Sequence, residues 1–412
     1  MGNSVCDSIR KLRRAACAAA AVGLACGAGG VSAASWELEP RVELGAVYDD
    51  NYRLTDQPGQ EIEVTGAALD AQLGLRNQTQ RTLLEIVPRI HASYFPGETS
   101  EDATDYFLGF NGERNSQRLH LRGEASFSDE SVVASEVLAA DFPGIDLGDT
   151  ASGDDGRVSI RNRRSLISTR PSLGFDWSER RRLIAAAHVV DASYDADVFE
   201  QVGYQDVGAL AGIEWDTSQR ALLALRASAS LFTPDGSSTD TTRTGLEAEW
   251  RTRSSETMRY YFRAGATRSE RDSVGGAPSI SDTAFSGGVG VAWRWQVTDI
   301  VIDAVRSAGP SSAGTVVNRD ELRFRITRAM SPRMSGHLAL RGIRTEDAVE
   351  DLQQIRNRNY AAGTAGFEWR VARQYSLLGS YHYTWQEFEG ELNDAVSNGV
   401  NLSIVYEPRR GT

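Results

Sequence analysis

Cysteine is absent from this 412-residue chain after residue 26, because its three cysteines are Cys6, Cys17 and Cys26. The rest of the chain therefore folds without a disulfide bond or a cysteine metal site. Lysine is equally scarce, since Lys11 is the only lysine and every later positive side chain is an arginine. Proline contributes only 11 residues, and 34 aromatic residues (8 Trp, 13 Tyr and 13 Phe) make the composition that of a folded protein.

Long apolar runs are missing as well. A membrane-spanning helix needs about 20 consecutive apolar residues, and the mean hydropathy is -0.37. These values argue against a helical membrane protein. The formal net charge of -12 argues against nucleic acid as the main partner, because phosphate backbones bind positively charged surfaces. The sequence does not address the oligomeric state.

The N-terminus has the pattern of a secretory signal peptide. Arg10, Lys11, Arg13 and Arg14 precede an uncharged stretch that ends in small residues suited to cleavage after Ala33. A transmembrane anchor and a lipoprotein signal ending at Cys26 are less favoured alternatives. We therefore predict a signal peptide over 1–33 and a mature domain over 35–412.

The mature chain alternates apolar and polar residues with a period of two, which predicts β-strands with one apolar face. The first run places apolar residues at every second position from Trp36 to Tyr48, with Glu37, Glu39 and Arg41 between them. Similar runs recur at 84–94, 258–267 and 375–386. Runs of about ten residues match strands that cross a membrane at a tilt.

The links between these runs alternate between short and long. Eight short polar links begin near residues 77, 115, 178, 216, 252, 296, 331 and 371. Nine long links lie near 49–61, 96–104, 129–163, 195–203, 233–241, 268–282, 306–320, 345–357 and 387–394. Seventeen links predict about 18 strands, with 16 as the alternative. The pattern is typical of an all-β, antiparallel up-and-down outer-membrane β-barrel with short periplasmic turns and long extracellular loops.

Tryptophans support the same orientation. Trp177, Trp215, Trp250, Trp295 and Trp369 each come shortly before a short link, which predicts a ring at the periplasmic boundary. A soluble sandwich or propeller is the alternative, but it would bury its apolar face and show no regular difference in loop length.

The polar face of the strands would line the barrel lumen, and it carries charges of both signs. The predicted pore-lining residues are Arg89, Arg122, Arg170, Arg226, Arg243, Arg259, Arg263, Arg323, Arg325, Glu85, Glu124 and Glu214. So many charges indicate a wet lumen, because a dry core could not solvate them. They could line a conduit for a polar or anionic solute, or they could form salt bridges that stiffen the wall.

The longest predicted loop, 129–163, is acidic in its first part. Its candidate constriction residues are Glu136, Asp141, Asp146, Asp149, Asp154 and Asp155. This segment could fold inward against lumen arginines and narrow the pore, or it could lie outside as a solvated flap.

Signals for catalysis, metals or cofactors are poor, so we expect no enzyme activity, cofactor or metal site. The five histidines have no metal-ligand spacing. His91 and Ser93 resemble the spacing of a His and a Ser in outer-membrane phospholipases, but both would face the lumen. Two polar wall residues are the favoured interpretation.

The segment VELGAVYDDNYRLTD at 42–56, after a signal peptide and with long alternating strands, resembles the β-barrel porin type 2 group. Asp50, Asn51 and Tyr52 match the start of that group's first loop. The resemblance implies an 18-stranded outer-membrane conduit associated with exopolysaccharide export machinery, comparable in role to alginate-export porins.

The sequence thus predicts passive translocation, with an exported exopolysaccharide as the solute. The expected partners are outer-membrane lipid, a polysaccharide and periplasmic export components. Two alternatives stay open: a structural or adhesin-like surface barrel with a plugged lumen, and a general diffusion porin.

Overall fold

The computed structural model describes residues 36–133, 161–195, 201–236, 239–272, 279–348, 357–390 and 393–408. The predicted signal peptide lies outside these residues. No helix within the described ranges is long and apolar enough to cross a membrane.

The described chain forms eighteen strands and one short 3-10 helix at Thr99–Glu101. The strands are β1 (Trp36–Asp49), β2 (Val64–Gln78), β3 (Thr82–Tyr94), β4 (Ala103–Asn115), β5 (Leu119–Ser131), β6 (Arg163–Ser178), β7 (Arg181–Tyr194), β8 (Tyr204–Ser218), β9 (Ala221–Pro234), β10 (Thr241–Arg253), β11 (Met258–Arg271), β12 (Ile280–Trp295), β13 (Thr298–Pro310), β14 (Val316–Ser331), β15 (Met334–Asp347), β16 (Arg358–Arg370), β17 (Tyr375–Phe388) and β18 (Ala395–Tyr406).

Every strand pairs antiparallel with its neighbours in the chain, and β1 also pairs with β18. The sheet therefore closes on itself. This architecture confirms the predicted all-β up-and-down barrel, with 18 strands rather than 16. Closure leaves no sheet edge along the paired ladders, so backbone N–H and C=O groups are satisfied within the wall.

The outer face of the barrel is apolar because the two-residue period of each strand matches that of its neighbours. On β1, Leu38 pairs with Leu75 and Leu44 with Leu69, so leucines meet leucines across the ladder. Leu38 and Leu44 are 55% and 60% exposed. A belt of exposed large apolar side chains of this size fits an apolar surrounding and not water.

The tryptophan ring lies where the sequence predicts it. Trp177, Trp215, Trp250, Trp295 and Trp369 all lie within the last few residues of their strands, beside the short turns. Trp293 and Trp295 stack with ring centroids 6.0 Å apart. Indole rings with an apolar body and a polar N–H favour a membrane interface, so the ring marks one boundary of the apolar belt.

Two links are shorter than the sequence indicates. Residues 306–310 and 316–320, predicted as loop, continue β13 and β14, and only 311–315 connect them. The link between β11 and β12 likewise shortens at both ends. Hairpin pairing continues beyond the apolar belt in these strands, and an alternation of apolar and polar residues cannot show where such an extension stops.

The ladder between β1 and β18 closes the barrel, and we call it the seam. It is shorter than the ladder between β1 and β2, because only Val42 to Asp49 pair with Gly399 to Tyr406. Side chains reinforce its loop end. The Asp49 carboxylate accepts hydrogen bonds from Ser397 Oγ at 2.8 Å and from the Asn51 backbone N–H at 2.8 Å, and it lies 2.9 Å from His382 Nε2. The motif that resembles the porin group thus ties the first loop to the last strand.

Two more residues of this motif form hydrogen bonds across the seam. The Asp50 carboxylate accepts hydrogen bonds from the Asn398 backbone N–H and side-chain amide, at 2.7 and 2.9 Å. The Asn51 amide donates to the backbone oxygens of Thr55 and Val396, both at 3.0 Å.

We expect Asp49→Ala to weaken seam closure. The substitution leaves Ser397, His382 and the Asn51 N–H without their buried acceptor, and each lost charged hydrogen bond costs about 1.5–3 kcal/mol. The temperature at which the compact barrel converts to the slower unfolded form on gels should fall. Glu256→Ala, at an exposed short turn, is the matched control and should leave that temperature unchanged.

Candidate functional site: the charged lumen and its mouth

The cross-strand register places all twelve predicted pore-lining residues on the inward face. One row runs from Glu85 through Asn111 and Glu124 to Arg170, across β3 to β6. Another runs from Glu214 through Ala224 and Glu249 to Arg263, across β8 to β11. These rows face away from the exposed leucines, so the charges share the interior.

Ion pairs connect neighbouring strands on the inner wall from β8 to β11. The Arg226 guanidinium lies 2.7 Å from Glu249 and 3.5 Å from both Glu214 and Glu247. Arg263 reaches Glu247 at 3.3 Å. One cation on β9 therefore holds carboxylates from the strands on both sides of it.

These contacts continue in both directions along the wall. Towards β5, Arg182 pairs with Asp176 at 2.7 Å and approaches Glu214 at 3.9 Å, and His120 lies 2.7 Å from Asp176. Towards β15, Asp303 contacts Tyr261 and Arg323, and Arg341 pairs with Glu321 at 2.9 Å. We call this set the ion-pair belt: His120, Asp176, Arg182, Glu214, Arg226, Glu247, Glu249, Arg263, Tyr261, Asp303, Arg323, Glu321 and Arg341.

Burial is greatest at the centre of the belt, whereas Arg182 and His120 near its β5 end are 41% and 33% exposed. The Arg226 and Glu249 side chains are 14% and 3% exposed. Charges this deep are stable only while paired, because an uncompensated buried charge costs several kcal/mol. Arg226, Arg263, Arg323 and Glu214 therefore join neighbouring strands through ion pairs.

A second group of arginines is accessible to solvent. The Arg122 side chain is 55% exposed, and its ion pair among the described residues is with Glu124 on its own strand, at 2.7 Å. Arg170 is exposed on β6, and Arg89 is 39% exposed beside Asp70 while its guanidinium lies 5.1 Å from the Phe107 ring centre. We call Arg89, Arg122 and Arg170 the exposed arginine sector, which occupies β3 to β6.

Three predicted pore-lining arginines fall outside both groups. Arg243 is buried and reaches across strands, with an ion pair to Asp206 on β8 and a 3.0 Å hydrogen bond to the backbone oxygen of Ala308 on β13. Arg259 is exposed near a short turn, and Arg325 is half-buried on β14.

The tip of the β13–β14 hairpin crosses the loop end of the barrel. Ser312 O accepts a 2.7 Å hydrogen bond from the Val202 N–H, which precedes β8. Val316 is fully buried in one cluster with Ala192, Tyr204 and Phe232, which lie on the inward faces of β7, β8 and β9. Strands β10 to β12 separate these partners along the wall, so the hairpin tip extends over the part of the mouth beside these three strands.

The first loop covers another part of the mouth. Leu54 packs with Val132, Val133 and Ala395, which joins this loop to the ends of β5 and β18. Arg53 makes a two-pronged ion pair with Glu101, with both contacts at 2.8 Å. Burial, together with the nearby carboxylates of Asp105 and Glu101, raises the pKa of Tyr52, so its phenol stays neutral.

The six predicted constriction residues, from Glu136 to Asp155, lie outside the described residues. The described structure narrows the mouth with two other segments, 311–315 and 51–63. The sequence does not distinguish the first from an ordinary loop, because its residues (SSAGT) are small and mostly polar. A possible signal was the apolar pair Val316 and Val317, which is unusual for a solvated loop.

Four of the five histidines, His91, His120, His188 and His382, lie beside carboxylates of the wall. His188 lies 3.0 Å from Asp206, and His91 lies 3.4 Å from Asp70 on the adjacent strand. His91 and Ser93 share the inward face. Within the described ranges, no three His, Cys, Asp or Glu residues are grouped to hold a metal ion.

Comparisons with known proteins agree on the architecture. No protein-family model matches the chain, and no curated protein matches it. A BenF-like porin from Pseudomonas fluorescens Pf-5 superposes with a TM-score of 0.50 at 8% identity, over 90% of this chain and 99% of that one. At such low identity the likeness shows the barrel fold alone.

Two further solved barrels superpose less well. OccK2 (OpdF) of Pseudomonas aeruginosa, solved in complex with glucuronate, gives a TM-score of 0.47 at 9% identity, over 91% of this chain and 99% of that one. The FrpB iron transporter from Neisseria meningitidis gives 0.46 at 8% identity, over 90% and 81%.

We expect Arg226→Gln to destabilise the barrel by about 3–5 kcal/mol, because it removes the cation shared by the buried Glu249 and the half-buried Glu214 and Glu247. Arg122→Gln should cost less than about 1 kcal/mol, since that pair is exposed. Urea unfolding in detergent micelles, followed by tryptophan fluorescence, measures both values. Equal losses for the two variants would contradict the division of the lumen into buried and exposed charges.

Val316→Asp should release the hairpin tip, because a carboxylate cannot stay in the apolar cluster with Phe232 and Tyr204 without a large desolvation cost. Single-channel conductance in planar bilayers should rise. Val316→Ala keeps the site apolar and is the control. An unchanged conductance in an assembled Val316→Asp barrel would show that the tip does not limit passage.

Proposed function

We propose that this barrel is an outer-membrane channel through which an exported anionic polysaccharide passes. It acts by passive conduction and without catalysis. The observation that carries the proposal is the exposed arginine sector, because three cations on neighbouring parts of the interior surface remain accessible to solvent, whereas Arg226, Arg263 and Arg323 are held in buried ion pairs.

Membrane placement has two supports. The outward-facing residues form a continuous apolar belt, with Leu44, Leu246 and Phe285 each about 60% exposed or more. A tryptophan ring bounds that belt on the turn side. Water would make such a surface aggregate, whereas lipid solvates it, so an outer membrane suits the chain.

The exposed arginine sector fits a carboxylate-bearing carbohydrate. Arginine guanidinium groups bind carboxylates through paired hydrogen bonds. Polar residues extend the same surface: Arg122 pairs in register with Ser172, and Ser126 with Ser168. Guanidinium and hydroxyl groups together match the carboxylates and hydroxyls of an acidic sugar chain.

The inward aromatic residues favour charge over stacking as the means of contact. Tyr204, Phe232, Tyr261 and Tyr360 face inward but are buried in the wall. These buried rings offer no flat surface for neutral sugars to slide along, and the half-buried inward ring of Phe107 lies 5.1 Å from the Arg89 guanidinium. A hydrated acidic polymer that moves between charged contacts suits this lumen better.

The export direction and the partners rest on the resemblance of residues 42–56 to the β-barrel porin type 2 group. That resemblance implies that a polysaccharide and periplasmic export components act with the barrel. A general diffusion porin for small anions shares the same lumen chemistry and differs in the size of its solute.

A surface barrel with a plugged lumen is the second candidate, because the β13–β14 hairpin and the first loop both cross the mouth. Conductance separates the two functions. A channel conducts in planar bilayers, and an acidic polysaccharide added on the turn side blocks the current more strongly than a neutral dextran of similar length. A barrel that assembles but carries no measurable current would support the plugged form.

The double variant Arg122→Glu/Arg170→Glu should shift ion preference towards cations, because charged side chains along a pore set its selectivity. Reversal potentials under a salt gradient measure the shift, and block by the acidic polysaccharide should weaken. Arg306→Glu, whose side chain faces outward, is the control. If the two variants show the same selectivity, the exposed arginine sector does not line the path.

A further inference from the structure

The short turns form a strongly basic rim. Exposed arginines lie at or beside nearly every turn, and we call this set the turn-side rim: Arg81, Arg118, Arg180, Arg181, Arg220, Arg253, Arg328, Arg333 and Arg373. In the described part of the chain none of them has a carboxylate within ion-pair distance. The exposed acids among these turns that lack an ion pair are Glu179, Asp216 and Glu256. The rim is thus net positive on a chain whose formal charge is -12.

The opposite end of the barrel carries the opposite charge. Acids stand at the described ends of its loops: Asp56, Glu61, Glu63, Glu98, Asp102, Asp195, Asp235, Asp240, Asp272, Glu389 and Asp394. Arginines there tend to be paired, as Arg53 is with Glu101 and Arg163 with Asp129. The unpaired cations therefore concentrate at one end.

The rim lies directly beyond the tryptophan ring. Arg181 is the cross-strand partner of Trp215, with its side chain on the same outward face. Arg180 follows Trp177 by three residues, Arg253 follows Trp250 by three, and Arg373 follows Trp369 by four. Indole rings mark the boundary of the hydrocarbon, so these guanidinium groups reach the level where lipid headgroups begin.

We infer that the turn-side rim binds the phosphate groups of anionic phospholipid headgroups in the periplasmic leaflet. The inference rests on the membrane placement proposed above, and it goes beyond the channel function. Basic side chains near a membrane surface attract anionic lipid, and arginine binds phosphate through paired hydrogen bonds. Lipid headgroups would supply the counter-charges that the described chain lacks there.

Two features favour annular lipid over an acidic polymer at the pore mouth. The arginines follow the turns around the whole perimeter, whereas a polymer would need charges directed at the pore axis. Arg181 and Arg328 also take the outward register, beside Trp215 and Thr298. Lipid surrounds the barrel and reaches such outward positions directly, whereas Arg253 takes the inward register opposite Arg259.

The test compares two triple variants with the same change in charge. Arg181→Gln/Arg220→Gln/Arg333→Gln removes three rim cations. Arg161→Gln/Arg268→Gln/Arg344→Gln removes three exposed arginines at the loop end and is the matched control. Each full-length mature barrel is placed in nanodiscs of equal phosphatidylcholine and phosphatidylglycerol, and native mass spectrometry counts the lipids that stay bound after release.

The unmodified barrel and the loop-end control should retain phosphatidylglycerol severalfold over phosphatidylcholine, and the rim variant should lose that preference. Raising the salt concentration should weaken it as well. Equal retention of both lipids by the unmodified barrel, or the same loss in both variants, would overturn the inference.

Two additional measurements identify other anions. Inorganic phosphate that binds the barrel in detergent as tightly as the lipid does would indicate a free-phosphate site and overturn the assignment to lipid. Retention of an acidic polysaccharide in place of phosphatidylglycerol would overturn it in favour of a polymer. A barrel that never enters nanodiscs would overturn the membrane placement itself, a result distinct from insertion without lipid preference.

Discussion

Closure of the sheet is the constraint on which the rest of this structure depends. In a hydrocarbon surrounding, backbone N–H and C=O groups find no water, so each must pair within the protein. Pairing of β1 with β18 meets this requirement for the two strands that would otherwise be edges. Closure also gives the sheet an outside and an inside. The apolar side chains lie on the outside, the charged side chains lie on the inside, and the loops lie at one end.

Closure also explains why Asp49, Asp50 and Asn51 interact as they do. The seam has few register pairs, so side-chain hydrogen bonds across one end of it add to its stability. Asp50 and Asn51 form hydrogen bonds with the backbone of β18. This short motif therefore joins residues that are separated by almost 350 positions in the sequence. The same residues start the first loop and direct it over the mouth.

The strands, their number and the face that each residue occupies could be predicted from the sequence. A two-residue period is a local property, so Leu44 and Arg122 reveal their faces without any knowledge of distant contacts. The division of the lumen into two sectors could not be predicted. Arg226 and Arg122 look alike in the sequence, and only the three-dimensional placement of Glu214, Glu247 and Glu249 around Arg226 separates them.

The mouth escaped prediction for a related reason. The length and acidity of 129–163 made it the predicted constriction. Val316 instead packs against β7 to β9, a contact between distant parts of the chain that no local sequence pattern encodes. Strand ends near loops were also harder to place than strand centres, because hydrogen bonds between β13 and β14 persist after the apolar alternation fades.

The uneven lumen has a mechanical consequence. Ion pairs that bridge neighbouring strands resist shear between them, because shear would separate buried charges. Such pairs follow one another from Asp176 and Arg182 on β6 and β7 to Glu321 and Arg341 on β14 and β15. Deforming the wall around a bulky solute would therefore cost more along this arc than beside the more exposed pair of Arg89 and Asp70.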